Sequence, residues 1–237
     1  MKITFISDTH VKHDILSKIN PLPGGDILIF AGDCMSSGYY PDELMRFIEW
    51  IKSQPYTYKI CIAGNHDRYC EAYPLYTIKD QFEKYYDDGV RYLCNEMIEV
   101  EGLKIYGTPY QPYFCDWAFN VPDENKLYEI YKQIPEGLDI LITHTPPYDI
   151  LDKCHIARSY YHTTGEEPLG SQVLSKAIDE LEQKPRYHVF GHIHGDGGNV
   201  LEKDGITYIN ASVCTERYYP ENKVITLDVE PRTKVSE

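Results

Sequence analysis

Long apolar runs are missing from this chain. No stretch approaches the ~20 consecutive apolar residues that a membrane-spanning helix needs, so no membrane partner is expected. Met1 leads directly into "KITFISDTH" without a charged n-region, an apolar h-region or a cleavage site, which predicts no secretory leader. The seven cysteines are odd in number and scattered, with no C-x-x-C; reduced, buried thiols in a cytoplasmic protein are the expectation. Positive charge is scarce. Lys and Arg number 23 against 37 Asp and Glu, a net charge of −14, and no basic cluster stands out. A protein that holds long nucleic acid usually carries a basic face, so that partner is disfavoured. Repeats and low-complexity segments are absent too.

What remains is an ordinary globular composition: 237 residues, 42% hydrophobic and 25% charged. The length suits one large domain, taken as residues 1–230, with a polar tail over 231–237. Tyrosine is plentiful, at 22 residues, which supplies packing groups and potential aromatic walls for a ligand.

Short apolar runs closed by turn residues predict strands at 3–6, 27–31, 59–63, 104–106, 140–143 and 188–190. Helical spacing alternates with them. Leu44, Phe47, Ile48 and Ile51 predict a helix over 41–52 with Pro41 in its first turn. Leu127, Ile130, Tyr131 and Ile134 predict one over 123–134. Val173, Leu174, Ala177, Ile178 and Leu181 predict one over 171–181, capped by Ser171 or Gly170. A weaker pattern covers 78–86. The last third reads as strands at 200–201, 206–210 and 224–229, joined as hairpins by turns at "EKDG" and "YYPEN". The expectation is an α/β fold with alternating elements first and hairpins last.

The polar residues of interest follow the strands. "ISDTH" carries Asp8 and His10; "FAGDC" carries Asp33; "IAGNHD" carries Asn65, His66 and Asp67; "ITHTPP" carries His144; "FGHIH" carries His192 and His194. In open α/β sheets ligands gather at the carboxyl ends of strands, so these groups are expected in one region. Each motif alone has a bland reading: D-x-H as a capped turn, H-x-H as a hydrogen-bonded structural pair. On a strand the two H-x-H residues would share a face with their Cα atoms about 6.5–7 Å apart, and could serve one ion or two. The donors are nitrogen and oxygen only, which suits Mn, Fe, Zn or Co and argues against Cu(I) or an iron–sulfur cluster.

The order D-x-H, G-D, G-N-H-D, H, G-H-x-H resembles the calcineurin-like metallophosphoesterases. "YGTPYQPYFCDWAFN" (106–120), "LITHTPPYDILD" (141–152) and "VFGHIHGDGGNV" with "TYINASVC" (189–214) are similar to the metallophosphoesterase-domain-containing branch, which includes relatives of class III cyclic-nucleotide phosphodiesterases. Tyr110 departs from that pattern by standing where the branch tends to carry Trp, which bears on the adjacent pocket wall and not on the metal site. The resemblance implies a four-layer αββα sandwich of two mixed β-sheets flanked by helices. It also implies two divalent transition ions: one held by Asp8, His10 and His194, the other by Asn65, His144 and His192, with Asp33 bridging and His66 above them as a non-ligand.

That arrangement implies hydrolysis of small phosphodiesters, cyclic nucleotides among them, by in-line attack of metal-bound hydroxide on phosphorus. Two divalent ions, two carboxylates and one hydroxide leave the centre at about +1, enough to draw a small phosphodiester anion into an acidic protein. Asn65 and His66 would contact the phosphate, His66 would protonate the leaving oxygen, and Asp67 would orient His66 or simply cap a turn. Alternatives with the same residues are a phosphomonoesterase, a nuclease, a mononuclear structural zinc site or a non-catalytic scaffold.

Other residues carry weaker expectations. His13 reads as a surface residue and His188 as core or edge. His155, Arg158, Tyr160, Tyr161 and His162 lie in the long connection over 152–169, which could touch substrate. Cys34 reads as a packed thiol. Tyr110, Tyr113, Phe114 and Trp117 could wall a pocket or merely pack, and Asn95 and Asn210 are weak substrate contacts.

Overall fold

The computed structural model describes residues 1–84, 88–155 and 167–232. The first sheet holds β1 (Lys2–Ile6), β2 (Gly25–Ala31), β3 (Tyr56–Ile62) and β4 (Val90–Tyr92) in parallel, with β13 (Ile225–Asp228) antiparallel on the outer edge of β1. The second runs in the order β11 (Asn199–Lys203), β12 (Ile206–Asn210), β10 (Tyr187–Phe190), β9 (Ile140–Thr143), β6 (Leu103–Thr108) and β5 (Glu96–Val100). Its four inner strands are parallel and both edge strands antiparallel. A short parallel pair, β7 (Gln111–Pro112) with β8 (Asn120–Val121), stands apart.

Alternation along the strands builds the layers. Ile3, Phe5, Ile27, Ile29, Ile60 and Ile62 of the first sheet pack with Ile105, Ile140, Ile142, Val189 and Ile209 of the second, forming the middle of the sandwich. The intervening residues face outward onto helices. Ile6, Leu28, Phe30 and Cys61 meet α1 (His13–Ile19), α2 (Pro41–Ser53) and α4 (Leu75–Glu83). Tyr106, Leu141, Phe190 and Tyr208 meet α5 (Glu124–Tyr131) and α6 (Gln172–Asp179). The fold is therefore an αββα sandwich of two mixed sheets. Both faces of the parallel strands are buried, which explains their unbroken apolar runs.

Packing, more than capping, holds α2. Its N-cap Tyr40 makes no side-chain cap bond, an omission that costs about 1 kcal/mol. Leu44, Phe47, Ile48 and Ile51 are fully buried, and each contributes roughly 1.5–3 kcal/mol. In α6, Ser171 does cap, its Oγ accepting from the Leu174 amide at 3.1 Å.

Several expectations are corrected. The α4 helix begins at Leu75, earlier than 78, and the predicted end at Tyr86 lies outside the described residues. The "EKDG" turn does join a hairpin, β11 to β12, but the chain after "YYPEN" makes none: β13 crosses to the other sheet and pairs with β1. The strands at β4 and β5 and the short helices α1 and α3 (Arg68–Ala72) had no clear periodicity to announce them. Arg232, placed in the polar tail by composition, is bonded to Asp139 Oδ1 at 3.3 Å and to the Leu138 carbonyl at 3.0 Å. Cys115 is exposed and Cys94 and Cys154 are half-buried, so only four of the seven thiols, Cys34, Cys61, Cys70 and Cys214, are core residues.

Candidate metal centre

Strands β1, β2 and β3 of one sheet and β9 and β10 of the other release their carboxyl ends at the same edge of the sandwich. A bridge between Ser7 and Ser212 ties the two sheets together there, the Val213 amide donating to the Ser7 carbonyl at 3.0 Å. The chain bends sharply as it leaves the strands. Asp8, His10, Asp33 and His192 all have positive φ, at 56°, 41°, 63° and 67°, a region that non-glycine residues enter at a cost and that clusters at functional sites. Two glycines make the convergence possible. A Cβ at Gly191 would lie 2.1 Å from Asp8 Oδ2, and one at Gly64 would lie 2.3 Å from Asp33 Oδ1.

The result is a buried cluster of donors. Asp8 Oδ1 lies 3.3 Å from His194 Nε2 and 3.8 Å from His10 Nε2. Asp33 Oδ2 lies 3.7 Å from His10 Nε2 and 3.3 Å from His144 Nε2, so one carboxylate oxygen faces both halves of the cluster. Asn65 Oδ1 lies 2.9 Å from His144 Nε2 and 2.7 Å from His192 Nδ1. Three sets of donors lie within 4.8 Å of one another: Asp8, His10 and His194; Asp8, Asp33 and His144; and His10, Asp33 and His66.

The outer hydrogen bonds show what these rings are prepared for. His10 Nδ1 donates to the Met35 carbonyl at 3.3 Å, His144 Nδ1 to the Ala31 carbonyl at 2.8 Å, and His194 Nδ1 to the Thr215 carbonyl at 3.1 Å. A carbonyl only accepts, so each Nδ1 keeps its proton and each ring turns Nε2 inward; in the neutral form that Nε2 is a lone pair, the pattern of metal-ligating histidines. His10 and His194 then face each other Nε2 to Nε2 at 3.2 Å. When both rings are neutral those two nitrogens have no proton to share, and a cation between them would take both lone pairs.

The electrostatics agree. Burial, reinforced by neighbouring imidazoles, takes His10 and His192 down to about 3. Burial pushes Asp8 up, but the bond from His194 and the charges of His194 and His144 outweigh it and hold Asp8 at about 2. Asp33 is held well below the carboxylate range in the same way, chiefly by His144 and His66. Burial opposes charge on His144, yet Asp33 and Asp8 raise it to about 9. Two ionised carboxylates in a buried site call for positive charge, which a proton on His144 supplies and a divalent cation would supply in its place, with oxygen and nitrogen donors already in position.

The H-x-H geometry differs from the strand expectation. β10 ends at Phe190, His192 has left-handed backbone, and His194 opens a short 3-10 turn to Asp196. The two rings are separated by that bend: His194 stands with Asp8 and His10, and His192 with Asn65.

Asp67 does not orient His66. Its carboxylate accepts from the amides of Asp33 (2.9 Å), Met35 (2.9 Å) and Gly64 (2.8 Å) and from Cys34 Sγ (3.3 Å), and it makes no side-chain cap bond to α3. It ties the loop after β2 to the loop after β3. Burial and the charge of Asp33 raise it to about 6, while these bonds pull the other way. His66 is held instead by the Ser36 carbonyl at its Nδ1.

Above the cluster lies a cleft of 260 Å³ lined by His66, His192, His194, Phe114, Trp117 and Tyr218, among others. Trp117 stacks on His66 at 4.0 Å between ring centroids, and Phe114 meets His192 edge-on at 5.6 Å. Tyr110 packs against Phe119 and the core instead, and Tyr113 is exposed. Tyr218, 4.8 Å from His10 and 5.1 Å from His194, was hidden in a stretch that reads as a turn. His13 is buried against Trp50 and Phe47, not on the surface. His188 is core. Asn210 is structural: its Nδ2 donates to the carbonyls of Leu151 and Ile193. Asn95 accepts from Thr108, Cys34 is buried, and His155 is exposed and bonded to Asp196. Arg158, Tyr160, Tyr161 and His162 lie outside the described residues.

Comparison with known proteins agrees with this geometry. The family model described as calcineurin-like phosphoesterase matches residues 1–196, which include every donor above. The chain is 39% identical over 243 residues to the human metallophosphoesterase domain-containing protein 1, covering 94% of this chain and 69% of that protein. It is 31% identical to UPF0046 protein T07D4.2 of Caenorhabditis elegans, covering 99% and 62%. Among solved structures, TT1561 of Thermus thermophilus shares the fold with a TM-score of 0.59 at 15% identity, covering 88% of each chain. The phosphopantetheinyl hydrolase of Mycobacterium tuberculosis does so with a TM-score of 0.55 at 15% identity, covering 98% and 97%. The chain belongs to the calcineurin-like phosphoesterase family.

Proposed function

We propose that the protein is a dinuclear metal-dependent phosphodiesterase of small substrates, with cyclic nucleotides as candidate diesters. The single observation that carries this reading is the placement of Asp33 Oδ2 between His10 and His144, with a second carboxylate and three further imidazole or amide donors on either side. Asp8, His10 and His194 would hold one ion, Asn65, His144 and His192 the other, and Asp33 both; Mn, Fe, Zn and Co all suit these donors. When bound, such ions draw charge from phosphoryl oxygens and make water a competent nucleophile near neutral pH.

The chain's own residues do the rest. The cleft admits one phosphate above the donors, and the aromatic faces of Phe114, Trp117 and Tyr218 give a base or aryl leaving group a surface to lie against. Asn65 and His66 stand at the floor of that cleft, where they contact the phosphate. His66, whose Nδ1–H is committed to the Ser36 carbonyl, would act as the acid in its doubly protonated form, passing the Nε2 proton to the departing oxygen and being left as the neutral Nδ1–H ring. Asp67 supports the two loops that carry Asp33, Asn65 and His66. Among the described residues no helix is long and apolar enough to cross a membrane. The cysteines all stand as free thiols, which favours a cytoplasmic setting, and the net charge of −14 favours small anions over long nucleic acid. Residues 1–230 are read as one domain.

The test is a panel assay with added Mn, comparing a bis-aryl phosphodiester, an aryl phosphomonoester, and 2′,3′- and 3′,5′-cyclic nucleotides. Diesters are expected to turn over faster than the monoester. A strong monoester preference would overturn the diesterase reading.

A further inference from the structure

We infer that Glu43, on α2 and outside the donor cluster, is a positioning residue for His66 and acts through Ser36. The kinetic part of this inference rests on the phosphoesterase reading above; the structural part does not.

The His66 ring is packed but not uniquely so. Trp117 covers one face at 4.0 Å with 24° between planes, and His10 meets it edge-on at 4.7 Å. A ring turned over about its Cβ–Cγ bond would fill the same slot while exchanging Nδ1 with a carbon and relocating Nε2. Packing alone does not choose between the two orientations; a hydrogen bond does. The Ser36 carbonyl makes that choice by accepting from Nδ1. Because a carbonyl cannot donate, it also fixes the tautomer and leaves Nε2 as the ring atom that meets substrate.

Ser36 is in turn held at two points. Its amide donates to Glu43 Oε2 at 3.0 Å and its hydroxyl to Glu43 Oε1 at 2.6 Å. Both oxygens of one carboxylate are used on one residue, and charge-assisted bonds of this kind are the stronger ones. Glu43 is rigid at its base, since it lies in the first turn of α2 and the next residues inward, Leu44, Phe47 and Ile48, are fully buried. The line from core helix to Glu43, to Ser36, to His66 gives the ring a fixed orientation relative to the donors. A carboxylate that merely braced the 36–40 loop would stabilise the protein without acting on His66, and the two roles separate by experiment.

The Glu43→Ala and Glu43→Gln variants are compared in the parent and in a His66→Ala background, with Mn and the bis-aryl phosphodiester. Glu43→Ala is expected to lower kcat roughly tenfold, a part of the 10²–10⁴-fold that a positioned acid contributes, with KM within about twofold and metal content unchanged. Glu43→Gln, which keeps one acceptor, should lose less. In the His66→Ala background neither should cost anything further; an equal loss there would overturn the inference. A second readout needs no turnover. In zinc-loaded protein with ¹⁵N-labelled histidine, the His66 ring, identified by its absence from His66→Ala, should show a protonated Nδ1 and a changed tautomer balance in Glu43→Ala, or a weakened form of that change in Glu43→Gln should Glu43→Ala not fold. An unchanged His66 ring in the variant that folds overturns the role of Glu43. No turnover by the parent on any phosphoester overturns the phosphoesterase reading instead and leaves the ring spectrum to decide for Glu43.

Discussion

A buried histidine lends a lone pair or stays silent according to what its second nitrogen touches. His10, His144 and His194 each give Nδ1–H to a carbonyl and turn Nε2 inward. His188 is the contrast. The Thr143 hydroxyl donates to the Thr145 carbonyl at 2.7 Å, so His188 Nε2–H donates to Thr143 Oγ1 at 2.8 Å, and Nδ1 is left in the core with no hydrogen-bond partner. Protonating Nδ1 would place a charged donor in apolar surroundings, and burial takes His188 down to about 3 from 6.5. The folded pKa is depressed, so the unfolded chain binds the extra proton below about 6.5 and stability falls as pH falls, by about 1.4 kcal/mol per pH unit down to the folded value. Urea unfolding at pH 7, 6 and 5 should show this acid slope reduced by one proton in His188→Gln; equal slopes would contradict the account. Residue types at the site were legible because polar side chains are rare at the ends of apolar strands. The carbonyls of Met35, Ala31, Ser36 and Thr215 were not, because every residue carries one and only the fold says which faces a ring.

Elements bring the donors together, and loops after two different strands must hold register for Asp33 to lie between the two halves. Asp67 performs that task. Replacing it with Ala would leave the amides of Asp33, Met35 and Gly64 without their acceptor in a buried place; at roughly 1–3 kcal/mol for each stranded group, the expected loss is at least about 3 kcal/mol. Denaturant unfolding checks this, and a loss below about 1 kcal/mol would show that the loops stand without it. Asp67 adjoins His66 and precedes a helix, so the sequence suggests a cap or a partner of His66; a carboxylate that reaches across to another loop leaves no local pattern. The parallel strands were legible because burial on both faces makes them continuously apolar. The edge strand β5, exposed at Met97 and Glu99, and the seven-residue α1, which buries only His13 and Leu16, were too short or too mixed to show a period. The course of β13 was hidden for another reason: alternation announces a strand, not which sheet edge receives it.

Across the whole molecule, two sheets packed face to face converge at one edge, where the strand ends pool two carboxylates, an amide and five imidazoles beneath an aromatic cleft. The family relationship and the αββα architecture follow from the chain as a whole, while the claim that the cluster holds two ions turns on Asp33. The most direct measurement is metal content by elemental analysis, after saturation with Mn or Zn and removal of free ion, for the parent and for Asp33→Asn. Two ions per chain are expected in the parent and impaired occupancy of both in Asp33→Asn, because one carboxylate serves both halves. No bound metal in the parent, or loss of only one ion in the variant, would contradict it.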